Sequence, residues 1–342
     1  MQVRPESVLL VKLSSLGDIV HAFPAISDFS RQFPQAEITW AVDSFFAALP
    51  LLHPAVREVM SVPLRRVRQR SSWWWFGGEW QAFWRSRRVR TFSHAIDAQG
   101  LIKSAVLQRM ISAGERIGPD RHSAREGLAA LLYGHKVAVP YQQHAVLRNK
   151  MLFARAFGYD FVPDVDFGLP QATGDERDTV LFLHGTTWPS KALPLTVWQD
   201  LARCAADAGF RVYLPWGNVQ EREQAARIAA AAGVCEVLPA MSIAQLALLM
   251  GKVGGAVSVD TGLGHLAGAY GVPVVGIYGA TSAELAGISG TFSQNLVNPA
   301  PCLQRDCRQH GADTANACMQ GHQAATIWQE LEKMMERKYG KG

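Results

Sequence analysis

The chain has 342 residues, enough for two domains of about 150–170 each, and its 48% hydrophobic and 18% charged residues supply a core and exclude wholesale disorder. No apolar run is long enough for a spanning helix: FFAALPLLHPAV at 45–56 is too short, and 240–259 is interrupted by Gln245 and Lys252. The formal net charge of +5 conceals a split, with 21 Lys+Arg against 12 Asp+Glu in residues 1–160 and 13 against 17 in the rest, which turns the first half toward an anionic partner.

The N-terminus, MQVRPESVLLVKLSSLGD, has no small-residue cleavage site and reads as a first strand, SVLLVKL at 7–13, so the chain is expected in the cytoplasm. A loop SSLGD and a helix from about Ile19 follow. EITWAVD (37–43) and HAIDAQG (94–100) are further strands. In the second half TVLFLHG (179–185), RVYLPWG (211–217), GAVSVD (255–260) and PVVGIYG (273–279) repeat the pattern. Between them, 197–210 places Trp198, Leu201, Ala202 and Ala205 on one helical face and stops at Gly209.

Short buried strands separated by helices of this length imply βαβ units and a parallel sheet, twice over. Segment 160–178 is rich in Pro, Gly and acids and has no periodic apolar face. The expected organisation is α/β: an N-terminal Rossmann-like domain at 1–160, a linker at 161–178 and a C-terminal Rossmann-like domain at 179–342. The last helix is free to pack back on the first domain. Two facing, doubly wound domains would bind ligands at the C-terminal ends of their strands.

Residues 63–90 hold eight arginines, five tryptophans and one acid, Glu79. Arginine interleaved with tryptophan suits nucleic acid or an anionic membrane surface, or forms a solvated amphipathic hairpin with no ligand. No recognition motif supports nucleic acid. Of five cysteines, Cys204 and Cys235 lie in apolar contexts and read as buried thiols. Cys302, Cys307 and Cys318 are spaced C-x4-C-x10-C, and His310 or His322 would be needed to complete a zinc set. That spacing does not fit a zinc ribbon, and reduced structural cysteines are the reading preferred.

Three strand-to-helix loops carry the candidate chemistry. In KLSSLGD (12–18), Gly17 allows a ligand close to the backbone, and Asp18 suits either a general base or a helix cap; spacing alone favours the cap. In HGTTWPSK (184–191), Thr186, Thr187 and Lys191 form a plausible phosphate clamp, though not a P-loop. In VDTGLGHLAG (259–268), Asp260, Thr261 and Gly262 open a helix whose amides suit a diphosphate, with His265 in reach of the same anion. Glu221 suits ribose hydroxyls or a helix N-terminus. Met241 suits a purine edge or, more simply, the core.

Together KLSSLGDIVHAFPAI, IDAQGLIKSA, the TT-x3-K loop, LPWG followed by Glu221, and SVDTGLGHLAGAYGVPVVGIYG resemble the ADP-heptose lipopolysaccharide heptosyltransferases, most closely the branch that adds the first heptose to Kdo. The resemblance covers about residues 7–335. It implies a GT-B architecture, Asp18 as catalytic base with Lys191 assisting, and a donor site of Thr186, Thr187, Lys191, Glu221, Met241, Asp260, Thr261, Gly262 and His265. It further implies Arg65, Arg66, Arg68, Arg121 and His144 facing the Kdo carboxylates and phosphates of Kdo2-lipid A.

The expected reaction is inverting transfer from ADP-heptose, with fixed positive charge on the diphosphate and no DxD-like pair, hence no metal and no cofactor. The expected enzyme is a monomer, peripheral on the cytoplasmic face of an anionic inner membrane, with no nucleic-acid partner. The alternatives are the enzyme adding the second heptose and a non-catalytic nucleotide-sugar-binding module.

Overall fold

Val8, Leu9, Leu10 and Val11 are fully buried, as a parallel strand covered by helices on both faces requires. They form strand β1 (Ser7–Val11) of a computed structural model describing residues 5–64, 81, 83, 85, 91–298 and 319–340. The Trp/Arg tract, including Arg65, Arg66 and Arg68, falls almost wholly outside the described residues, as do Cys302, Cys307 and Cys318. The chain divides into two compact units, Met1–Leu169 and Pro170–Gly342.

In the first unit β1 is followed by α1 (Leu16–Val20), α2 (Phe23–Gln32), β2 (Glu37–Asp43), β3 (Val56–Val62) and β4 (Thr91–Asp97). Then come α3 (Ile102–Met110), β5 (Ser112–Pro119), β6 (His135–Val137) and α4 (Ala145–Phe157). The sheet order is β3-β2-β1-β4-β5-β6, with every pairing parallel. Leu9, Val11, Ala41, Met60 and Ala95 from neighbouring strands close one core with Leu107 and Ile111.

The second unit repeats the plan. It runs β7 (Glu176–Leu183), α5 (Leu195–Asp207), β8 (Arg211–Leu214), α6 (Val219–Ala229) and β9 (Cys235–Val237). These lead to α7 (Ile243–Met250), β10 (Val253–Val259), α8 (Gly262–Ala269) and β11 (Val274–Tyr278). Last come α9 (Ala283–Ala286), β12 (Ser293–Val297) and α10 (Ala324–Tyr339). The order β12-β11-β10-β7-β8-β9 is the first sheet's topology over again.

Trp198, Leu201, Ala202 and Ala205 are buried on one face of α5, and Gly209 follows it at φ +80°, a conformation that favours glycine. The expected helix from Ile19 is two helices, broken around His21 and Ala22. In the second unit Ile327, Trp328, Leu331 and Met335 of α10 join the core around Val257 and Val275. Cys204 and Cys235 are only half-buried, because each sits at the edge of that core rather than inside it.

In both sheets the strand order reverses direction at one place, between β1 and β4 and between β7 and β10. Loops leaving the two strands of such a pair diverge and open a crevice at their C-terminal ends. Those loops carry the candidate residues.

Candidate active site

At the first reversal the loop after β1 meets the loop after β4. Asp97, fully buried at the end of β4, accepts the amides of Gln99 (2.7 Å) and Gly100 (3.1 Å) and the hydroxyl of Tyr133 (2.8 Å). This pins Gln99, whose Oε1 accepts the amides of Leu13 (3.0 Å) and Ser14 (3.3 Å). Thus the second loop fixes the start of the first, and the first carries Asp18.

Ser15 is the N-cap of α1, and Asp18 reaches back from the third helical position. Its Oδ2 accepts the Ser15 amide (3.0 Å) and hydroxyl (3.3 Å) and lies 3.6 Å from Arg125 Nη1. The capping favoured by spacing is therefore present, with the residue roles shifted: Ser15 caps, and Asp18 holds the cap. Burial alone would raise the Asp18 pKa. The Lys12 ammonium, the Arg125 guanidinium and the Ser15 hydrogen bonds outweigh it, keeping the carboxyl below its ordinary value and ionised at neutral pH.

Asp18 lines an open cavity of about 70 Å³, with Lys12, Gln99, Ser123, Arg125, Arg148 and Asn149 among its other walls. Lys12 donates to the Ala98 carbonyl (2.7 Å) and lies 3.4 Å from Asn149 Oδ1. Burial brings its pKa down to about 8, against the pull of Asp18. Three cations around one carboxylate make a pocket for an anion that brings its own hydroxyl to the base.

Neither Arg121 nor His144 lines this cavity. Arg121 is exposed on the loop after β5. His144 caps α4, its Nδ1 accepting the Val146 amide (3.2 Å), and its ring sits edge-on 5.5 Å from His21. Of the arginines on that loop, Arg125 and not Arg121 lines the cavity. Arg125 faces Asp18, and Arg148, one turn into α4, was missed. Both leave elements at the sheet's C-terminal edge, which was the available signal.

At the second reversal three loops converge on Asp260. Its Oδ2 accepts from Lys191 Nζ (2.6 Å) and the Thr281 hydroxyl (2.6 Å), while His265 Nε2 lies 3.7 Å from Oδ1. Burial would raise the Asp260 pKa. His265 and Lys191 overcome that and hold it far below the carboxylate range. Lys191 also lies 4.7 Å above the Trp188 ring. Thr186 accepts the Trp188 amide (3.3 Å), and Thr187 is exposed. Thr261 takes the N-cap of α8 without a side-chain cap hydrogen bond, and Gly262 is the first helical residue. Thr281, which no sequence signal marked, fixes the far side of Asp260.

Glu221 stands in the first turn of α6, its Oε2 accepting the Gly217 amide (2.7 Å). A Cβ on Gly185 would lie 2.7 Å from the Glu221 carboxyl carbon, so the glycine leaves room for the Glu221 carboxylate in its present position. Met241 is half-buried in the loop before α7, out of the core. The β7, β8, β10 and β11 loops thus present a lysine, hydroxyls, a carboxylate and a helix N-terminus along one sheet edge. That set suits a nucleoside diphosphate.

The chain matches the model of glycosyltransferase family 9 (heptosyltransferase) over residues 80–312. It is 41% identical to lipopolysaccharide heptosyltransferase 1 of Pseudomonas aeruginosa over 308 residues, which is 88% of this chain and 87% of that one. E. coli heptosyltransferase WaaC, solved with ADP, superposes with a TM-score of 0.83 at 34% identity over 96% of this chain and 99% of that one. Solved with ADP-2-deoxy-2-fluoro heptose, the same enzyme gives 0.81, again at 34% identity, with coverage of 96% and 99%. Two such sheets in one chain are the GT-B fold.

Proposed function

From its place in glycosyltransferase family 9, to which the chain belongs, we propose that it moves L-glycero-D-manno-heptose from ADP-heptose onto the Kdo region of Kdo2-lipid A, in assembly of the lipopolysaccharide inner core. The observation that carries this reading is the setting of Asp18, an ionised carboxylate in a cavity walled by Lys12, Arg125 and Arg148. A sugar acid with a carboxylate near its attacking hydroxyl matches that pocket in charge and in chemistry.

Asp18 takes the proton of the Kdo hydroxyl as its oxygen attacks the anomeric carbon from the face opposite ADP, so the configuration inverts. ADP leaves as a stable anion and needs no carboxylic acid to protonate it, unlike the leaving group of a paired-carboxylate glycosidase. Lys191, the Thr186 and Thr187 hydroxyls and the amides at Thr261 and Gly262 take up the charge growing on the diphosphate. Each such donor is worth about 3 kcal/mol in the transition state. Asp260 is itself an anion and does not face the diphosphate directly; it holds Lys191 in place. Glu221 grips the ribose hydroxyls, and Met241 lies against the adenine.

The test is ADP release with ADP-heptose and Kdo2-lipid A. The expected outcome is turnover by the wild type and a loss of about a thousandfold in Asp18→Ala, with ADP still bound. Binding of ADP-heptose without transfer to this acceptor would leave the second-heptose reaction, tested on an acceptor already carrying one heptose. Failure to bind any adenine nucleotide would reject the donor assignment.

A further inference from the structure

On the first unit, four large apolar side chains stand in the open on two elements that pack together. α3 exposes Ile102 (41%) and Val106 (43%), one turn apart on one face. The 3-10 helix Gly127–Leu132 exposes Leu128 (63%) and Leu131 (75%), which three-residue spacing stacks on one side. The two elements pack together through Ala105, Ala129, Ala130 and Tyr133, and the Ile102 amide donates to Glu126 Oε2 (2.7 Å). Buried alanines beneath and bare leucines above make a helix pair whose apolar output points away from its own core. Soluble surfaces seldom carry such a patch without a partner.

The surrounding charge says which partner. Lys103 and Arg109 are exposed on α3, within one turn of Ile102 and Val106 respectively, and Glu126 is engaged at the helix N-terminus. Apolar side chains ringed by exposed cations suit the headgroup region of an anionic bilayer. The patch also adjoins the Asp18 cavity. Gly100, just before α3, and Ser123 and Arg125, just before Gly127, line that cavity.

We propose that the face formed by Ile102, Val106, Leu128 and Leu131 docks the protein on an anionic lipid bilayer, so that the cavity opens next to the membrane in which an acylated acceptor is anchored. This rests on the acceptor reading above and gives it a membrane face built from described residues, distinct from the arginine–tryptophan tract.

The experiment is flotation, without substrate, on vesicles of phosphatidylethanolamine with and without phosphatidylglycerol at low ionic strength. Wild type is expected to float with the anionic vesicles only. The doubly substituted L128S/L131S, with unchanged melting temperature, should bind them about tenfold more weakly or worse. The pair K103E/R109E should lose binding in the same assay. L128S/L131S floating like wild type overturns the proposal, as does a wild type that binds no vesicle. A concentration-dependent dimer in wild type that L128S/L131S turns to monomer also overturns it, because the patch is then a self-association face. Heptose transfer to an acceptor stripped of its acyl chains separates the two readings. The docking substitutions should leave it unchanged, whereas no transfer by wild type to either acceptor rejects the function and not the flotation result.

Discussion

Lys191 Nζ lies 2.6 Å from Asp260 Oδ2, tying the loop after β7 to the loop after β10 across the reversal of the second sheet. Both side chains are largely buried, at 17% and 12% exposure. Removing one partner therefore strands the other, and Asp260→Asn should cost about 3 kcal/mol of stability. The sign of the pH effect follows from the depressed folded-state pKa of Asp260. Its contribution is complete above the ordinary carboxylate value and is lost as pH falls toward the folded one. Urea unfolding from neutral to acid pH should show the gap between wild type and Asp260→Asn narrowing only on the acid side. A gap constant with pH would mean the carboxylate's charge is not what stabilises.

Lys191 should matter for the diphosphate as well as for the fold. Lys191→Ala is expected to lower kcat by about a hundredfold or more and to weaken ADP binding. Lys191→Arg should recover only part of this, since a planar guanidinium does not replace an ammonium that touches Asp260 and Trp188 together. Steady-state kinetics with isothermal titration of ADP measures both effects.

The fold was legible where strands are buried on both faces. SVLLV and GAVSV read as apolar runs because helices cover them on each side. The strands passed over are of another kind. β5 (SAGERIGP) mixes glycines, charges and a proline, and β12 (SQNLV) is a half-exposed edge; tertiary pairing makes them strands, not local pattern. The loops that meet at the second reversal stood out because glycine, hydroxyl and lysine follow a buried strand at short range. The cavity around Asp18 did not. Arg125 and Arg148 come from a loop and a helix more than a hundred residues away in sequence, and no spacing links them to the first loop until the sheet is built.

Glycine 185 offers a test that separates binding from folding. The atoms a Cβ there would strike are the far end of the Glu221 side chain, which can swing away at little cost. Gly185→Ala should therefore keep the melting temperature close to wild type while displacing the Glu221 carboxylate. If that carboxylate holds the ribose, the dissociation constant for ADP should rise about tenfold, as loss of a charged hydrogen-bonding partner implies. Unchanged ADP affinity alongside a shifted Glu221 would remove Glu221 from the donor site.

Lys12 is expected to set the alkaline edge of the proposed reaction. Burial brings its pKa to about 8, so the ammonium loses its proton as pH rises through that value, well before an exposed lysine would. The cavity then carries one positive charge fewer toward an anionic acceptor. The acid side is different: the lowered pKa of Asp18, the proposed base, keeps its carboxylate ionised below the ordinary carboxylate value. The kcat/KM profile should be flat through mildly acid pH and fall above about 8. In Lys12→Met the value should be low throughout and the alkaline limb absent. An alkaline limb that survives in Lys12→Met belongs to another group.

Gln99 and Asp97 together hold the start of the loop that carries Asp18. The Gln99 carbonyl oxygen holds the Leu13 and Ser14 amides, and Asp97 holds the amide of Gln99 itself. Deleting the first link with Gln99→Leu keeps similar bulk but leaves two loop amides without their acceptor, so the loop carrying Asp18 relaxes. The expected result is kcat lowered about tenfold to a hundredfold, because misplacing the proposed base by about an ångström is enough, with little change in ADP affinity, since the proposed diphosphate ligands belong to the other unit. Gln99→Glu offers the same acceptor and should restore part of the rate, because its carboxylate reaches the same two amides. A merely structural role predicts a different pattern, in which melting temperature and ADP affinity fall together with kcat and Gln99→Glu rescues none of them. Measuring kcat, ADP affinity and melting temperature for the two variants side by side decides between these patterns.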